Sequence, residues 1–310
     1  IRDLVRSRGL GDVYKRQPHQ KAALYANAVE NRGIPYAEQL WGKELSYNNI
    51  LDLDAVLSVV QEFEQEISAG IVKHLSPCGI GTGESLVEAY SAALEGDPVS
   101  AFGGIVGFSR PVDETTAQKM SEHFFEAIIA PDFEPEALEI LKKKKNLRLL
   151  KTNLDLPFRK VQLRGVQGGI LVQGMDKPYI EPAKWEVVTK RKPTPTEESA
   201  LRFAWRAVKC VKSNAVIIAG ERAVYGIGGG LPSRVDAAKL AVEKAGELAI
   251  GAVGASDAFF PFPDGMEVLA KAGIKAIVQP GGSIRDESVT QRADEMGIAM
   301  IHTGTRHFKH

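Results

Sequence analysis

Apolar runs of four to six residues alternate along this chain with amphipathic stretches of ten or more. The short runs predict strands at Ala69–Lys73, Gly104–Phe108, Gly169–Gln173, Ala215–Ala219, Ala223–Ile227, Ala249–Gly254, Ala276–Gln279 and Ile298–His302. The longer stretches predict helices at Leu51–Gln65, Ser85–Leu94, Glu114–Ile128, Pro135–Lys144, Glu197–Val211, Ser233–Ala245, Met266–Ala272 and Asp286–Met296. Asp113 and Glu114 place negative charge at the positive N-terminus of one of these helices. Strand–helix alternation of this kind implies a layered α/β fold with largely parallel sheets. The polar, proline-containing stretch Thr189–Thr196 is the best internal boundary, dividing the chain into two subdomains of unequal size. No short repeat is visible.

Composition narrows the function. A chain of 310 residues, 44% apolar, can hold one large α/β domain or two of ordinary size. Lysine plus arginine and aspartate plus glutamate both number 39, so no net field favours nucleic acid or anionic lipid. The Lys142–Lys145 run reads as a solvated helix end, where cations suit the dipole. No apolar run approaches the roughly 20 residues of a membrane span, and no signal-peptide pattern is present. Cys78 and Cys210, in unrelated contexts, argue against a disulfide framework and for a cytoplasmic home. Ile1–Gln17 is basic and lacks sustained apolar periodicity, so residues 1–17 are expected to be a leader foreign to the fold. A genuine, frayed terminus is the competing reading.

Several segments carry candidate chemistry. Ile71-Val-Lys73-His74-Leu-Ser-Pro77-Cys78-Gly79 reads as strand, sharp turn, then helix, with a vicinal cation and imidazole at the turn. Histidine titrates nearest physiological pH and can take a proton from a weak nucleophile, while a lysine polarises a carbonyl oxygen. The plain alternative is a turn histidine and a snorkelling lysine. Pro77-Cys78 invites comparison with zinc deaminases, but the H-x-E glutamate and the second cysteine are missing, so no zinc site is expected. Paired glycines at Gly103-Gly104 allow close backbone approach to a ligand, or simply a turn. The cluster Gly226 to Gly230, between a strand and a helix, offers an anion site but breaks the dinucleotide pattern at Leu231. Arg234, a cation in the first turn of that helix, calls for an anionic partner. Asp257-Ala-Phe-Phe-Pro-Phe-Pro-Asp264 is core for at least one ring, and also a flat aromatic wall suited to a pterin or purine. Gln279-Pro-Gly-Gly-Ser283-Ile284 again links a strand to a helix, and the chain ends in a basic, aromatic tail around Arg306.

Taken in order, these motifs resemble the AICAR transformylase domain of the bifunctional purine-biosynthesis proteins, where AICAR is 5-aminoimidazole-4-carboxamide ribonucleotide. The resemblance runs from Pro18 to His310. It rests on Lys73-His74-x-x-Pro77, Ser100-Ala-Phe-Gly-Gly104, Ile128-Ile-Ala-Pro131, Ser213-Asn214, Ser233-Arg234, Asp257 to Phe262, Gln279 to Ser283, and Arg306-His-Phe-x-His310. It implies formyl transfer from 10-formyltetrahydrofolate, as cosubstrate, to the amine of AICAR in purine biosynthesis. By resemblance His74 is the base, Lys73 stabilises the oxyanion, and Asn214 lies near the reacting amine. Tyr14, Gly103, Glu126, Arg234 and Arg306 match nucleotide-binding positions. Val235, Phe259, Asp264, Ser283 and Ile284 match positions near the folate. The implied fold is a pair of cytidine-deaminase-like α/β/α subdomains, 18–190 and 191–310, in a homodimer with shared active sites. A structural potassium ion, known in the family, is left open by the sequence.

The chain departs from the family in three places. Agreement begins abruptly at Pro18, with Val13 at the family's nucleotide-contacting arginine and only Tyr14 aligned nearby. Leu231-Pro232 replaces a glutamine-containing pair. The cyclohydrolase domain that normally precedes the family's transformylase is expected to be absent, as is an insertion that larger members carry between Arg234 and Asp257. Two readings compete with an active transformylase: a catalytically impaired fragment that binds nucleotide or folate, and an oxidoreductase using the glycine cluster.

Overall fold

The computed structural model describes residues 7–12, 20–27, 32–154, 161–176 and 185–310, with backbone alone for 7–12 and 27. Val13 and Tyr14 lie outside the described residues, as does most of the expected leader. Its Ser7–Asp12 backbone pairs antiparallel with Ala23–Asn27.

Two six-stranded sheets form the framework. In spatial order the first contains Glu38–Trp41, Arg148–Lys151, Ala127–Ala130, Ile105–Phe108, Ile67–Lys73 and Ser76–Gly83. The second contains Glu186–Val187, Ala299–His302, Ala276–Gln279, Val253–Ser256, Val216–Ala219 and Val224–Gly228. Both follow one pairing plan: three inner strands are parallel, and the flanking strands join antiparallel. The expected parallel pairing therefore belongs to the three inner strands of each sheet.

The helices Tyr47–Glu62 and Pro195–Lys209 lie between the sheets and share one core with both. Strand alternation divides the side chains: Ile129 faces this shared core, while Ile128 faces the outer helices. Phe63 and Phe203 meet at 5.2 Å, and Arg206 binds both carboxylate oxygens of Glu66 at 2.6 and 2.8 Å. The outer faces are covered by Leu86–Glu95, Glu114–Ser121 and Pro135–Leu141 on one sheet. Arg234–Ala245, Pro263–Lys271 and Asp286–Glu295 cover the other. Helix Pro195–Lys209 starts within the Thr189–Thr196 stretch, fixed by a Thr194–Glu197 capping box with Pro195 inside it, while strand Glu186–Val187, before that stretch, already belongs to the second sheet.

Two expectations need correction. The helix expected over Glu114–Ile128 stops at Ser121, and Ala127–Ala130 is a strand buried along its whole length. The segment after His74 is also a strand, Ser76–Gly83, not a helix. Its alternating Gly79, Gly81 and Gly83 share one face, on which helix Leu86–Glu95 lies so closely that an added Cβ would strike the Ala93 and Ala89 backbone.

Candidate active site

Strands Ile67–Lys73 and Ser76–Gly83 are joined by a two-residue turn, His74-Leu75, with Lys73 paired to Ser76. Such a loop needs positive φ at both positions, which Asn-Gly usually supplies. Here φ is 53° at His74 and 65° at Leu75. The left-handed region disfavours side-chain-bearing residues by ~1–2 kcal/mol each. Offsetting this, the Asp52 carboxylate accepts the His74 N–H at 3.2 Å and the Leu75 N–H at 2.6 Å. Bonds to a charged group contribute ~1.5–3 kcal/mol each, enough to hold the turn. Lys73 donates from Nζ to the Phe102 carbonyl at 2.6 Å, and His74 is exposed.

Lys73 and His74 open onto a cavity of about 270 Å³ between the two sheets' domains. Asp97 and Ser100 line its first wall, and Lys212, Tyr225 and Lys244 its second. Lys244 crosses it to Asp97 at 2.8 Å. Burial works against ionising Asp97, but hydrogen bonds from Lys244 and Ser100 outweigh it and hold the carboxyl below its ordinary range. Burial, then the Asp97 charge, push the Cys78 thiol on the same wall up to about 12, so it is neither nucleophile nor ready metal ligand. A larger groove of about 720 Å³ is lined by Asp286, Glu287, Asp294 and Glu295, a poor match for an anionic nucleotide, and none of the predicted site residues lines it.

A second group of predicted residues forms around Asp257. Arg234, buried, donates from Nη1 to Asp257 Oδ1 at 2.5 Å and Ser256 Oγ at 2.8 Å, and from Nη2 to Asn214 Oδ1 at 2.6 Å. Its anionic partner is thus inside the chain. Asp257 also accepts the Ala215 N–H at 3.0 Å and the Ser213 hydroxyl. Asn214 donates both amide hydrogens, to the Leu231 and Pro232 carbonyls, at 2.9 Å each. The glycine cluster has a packing role: a Cβ at Gly226 or Gly228 would strike the backbone of Ala241 or Ala237 on the helix above.

Phe260 is the core ring of its segment, whereas Phe259 is half-buried and Phe262 is exposed beneath Arg285 at 4.3 Å. Val235 lies against Gly265, at the start of the helix that carries exposed Asp264. Ser283 donates its N–H to Asp286 at 3.1 Å, and the neighbouring Ile284 is 101% exposed. On the first sheet, Gly103 has φ 73° and donates to the Phe124 carbonyl, two residues before Glu126, which pairs with Arg148 at 2.8 Å. Arg306 is exposed and stacks over Phe308 at 5.0 Å.

The predicted residues therefore divide in two. Lys73, His74, Gly103 and Glu126 belong to the first sheet's half, and Asn214, Arg234, Val235, Phe259, Asp264, Ser283, Ile284 and Arg306 to the second. Of them all, only Lys73 and His74 line the cavity. Sequence reasoning missed Asp52, Asp97 and Lys244. Asp97 had a readable signal, an N-cap aspartate before proline, whereas Asp52 had none.

The sequence profile described as "AICARFT/IMPCHase bienzyme" matches residues 13–244. The "Bifunctional purine biosynthesis protein PurH" of Halalkalibacterium halodurans is 52% identical over 299 residues, covering 96% of this chain and 58% of that protein. Proteins of the same name from Bacillus cereus (strain AH187) and Bacillus anthracis (strain CDC 684) match with the same identity and coverage. The chain spans 58% of the length of these curated relatives.

Proposed function

The chain belongs to the AICARFT/IMPCHase bienzyme family, and on that premise we propose that it transfers the formyl group of 10-formyltetrahydrofolate to the exocyclic amine of AICAR. The amine nitrogen attacks the formyl carbon, the bond from that carbon to the folate nitrogen breaks, and tetrahydrofolate leaves. His74 takes the proton that the amine loses, and a proton is returned to the departing folate nitrogen, so that the exchange balances. Lys73 faces the oxygen on which negative charge develops, an electrostatic aid that is often the largest catalytic term. Asn214, its amide orientation locked by three hydrogen bonds, lies beside the amine. Gly103, Glu126 and Arg306 take the nucleotide, Arg234 serves it indirectly by holding Asn214, and Val235, Phe259, Asp264, Ser283 and Ile284 take the folate.

One observation carries this reading: the strained His74-Leu75 turn presents a cation and an imidazole together at a cavity. Such strain persists where function selects it. The division of the named residues into two groups supports a homodimer with shared sites. So do the exposed Leu75, Val99, Phe102 and Phe124 near the first group, and Phe262, Ile284 and Phe308 near the second. The subdomains of this proposal are 18–190 and 191–310, acting in the cytoplasm on small molecules, without nucleic acid or membrane. No helix among the described residues is long and apolar enough to cross a membrane.

The test is AICAR-dependent release of tetrahydrofolate, followed by absorbance. Turnover that falls ~10²–10⁴-fold in His74→Ala, with AICAR binding retained, is expected of a general base. A folded chain that binds both small molecules without turnover would establish the impaired-fragment reading instead.

A further inference from the structure

We propose that Asp52 is a positioning residue for His74, an inference that rests on the formyl-transfer reading above. His74 and Leu75 are the only non-glycine residues with positive φ among the described residues, and the amides of both are held by this one carboxylate. Consecutive N–H groups in left-handed conformation point to the same side, making a small concavity for an anion. Asp52 supplies that anion from a rigid support. Its helix begins at a Ser46–Asn49 capping box and is anchored by Leu53 and Val56, both 0% exposed, in the core that joins the two sheets. The sheet edge alone gives the tip no such hold, because His74 and Leu75 are exposed and the strand register shifts between Ile71 and Val72.

Asp52 thus acts through the backbone of the turn, aiming His74 at the substrate without touching it, whereas Lys73 has its own hold on the Phe102 carbonyl. Removing the carboxylate frees the turn to relax toward ordinary φ values, and a displacement of about 1 Å at a reacting group can lower turnover about 10²-fold.

The experiment is a kinetic cycle of Asp52→Ala, His74→Ala and the double variant, with Asp52→Ala/Leu75→Gly as a rescue. Asp52→Ala is expected to lower kcat by about 10–100-fold with little change in KM for AICAR. In the His74→Ala background the same substitution is expected to add no further loss, as for residues acting as a unit. Glycine at position 75, at home at positive φ, is expected to recover part of kcat. Losses that multiply independently in the two backgrounds would mark a merely structural role and overturn the proposal. Wild-type kcat in folded Asp52→Ala would do the same while leaving the base reading intact. Undiminished turnover in His74→Ala would instead remove the base itself, and this proposal with it. Should Asp52→Ala fail to fold, Asp52→Asn, which keeps one acceptor oxygen, takes its place in the cycle under the same criteria.

Discussion

Arg234 and Asp257 form an ion pair closed to solvent, Nη1 to Oδ1 at 2.5 Å, with side-chain exposures of 7% and 0%. The pair ties the first turn of helix Arg234–Ala245 to the end of strand Val253–Ser256. Through Arg234 Nη2 it also fixes Asn214. One buried pair thus sets the orientation of a side chain proposed to face the substrate.

Breaking that pair from one side strands a buried charge, which typically costs about 3–5 kcal/mol. Asp257→Ala is accordingly expected to lower the unfolding free energy by that amount in urea titration. A loss below about 1 kcal/mol would mean that the Arg234 charge is satisfied without Asp257.

Glycine positions separate packing from tolerance. A methyl group at Gly79 would meet the Ala93 backbone, whereas nothing lies within 4 Å of a Cβ at Gly165. Gly79→Ala must push helix Leu86–Glu95 off its strand, and overpacking of this kind costs about 1–3 kcal/mol or more. Gly165→Ala lies in an exposed strand with ordinary backbone and should be neutral or slightly stabilising. Urea midpoints measured side by side would reverse in order if the helix did not lie on the glycine face.

The element list was largely legible because the parallel core strands, such as Ala276–Gln279, are short continuous apolar runs between turn residues. Ala127–Ala130 was hidden by its neighbour: amphipathic helix Glu114–Ser121 runs on into this strand with no glycine or proline between them. Ser76–Gly83, expected as a helix after the sharp turn, is a strand whose glycine spacing of two marks a face pressed on a helix. In the candidate site, Lys73-His74 is visible as a pair of adjacent chemical groups. Its support from Asp52 spans 22 residues and consists of backbone hydrogen bonds, for which the side-chain pattern holds no signature. The internal partner of Arg234 was expected in kind, as an anion, but not in identity.

Both cysteines should resist alkylation. Burial pushes Cys78 and Cys210 up to about 12, Asp97 adding to the effect at Cys78 and Glu62 at Cys210. An unperturbed thiol near 8.5 is about a quarter thiolate at pH 8, so these two should react roughly three orders of magnitude more slowly. Mass spectrometry after iodoacetamide treatment of the native protein is expected to find both unmodified, and after denaturation both modified. Rapid labelling of Cys78 alone would show that the cavity wall admits water to the sulfur.

The Asp97–Lys244 bridge predicts a pH dependence of defined sign. Although burial alone would raise it, the Asp97 carboxyl is held below its ordinary value by Lys244 and Ser100, so folding favours its ionised form. A depressed folded-state value adds stability that is fully present above the unfolded pKa of about 3.9 and is lost as pH falls through the lower, folded value. Asp97 also caps the short helix Pro98–Ala101, so part of its contribution holds Phe102, the carbonyl partner of Lys73. Asp97→Asn keeps a capping oxygen but removes the charge that meets Lys244 at 2.8 Å. Wild type should therefore be the more stable of the two at pH 6, and the difference in urea midpoint should shrink as pH drops from about 5 to 3. A difference that stays constant across that range would mean that the bridge contributes through packing, and that ionisation of Asp97 is not what joins the two walls of the cavity.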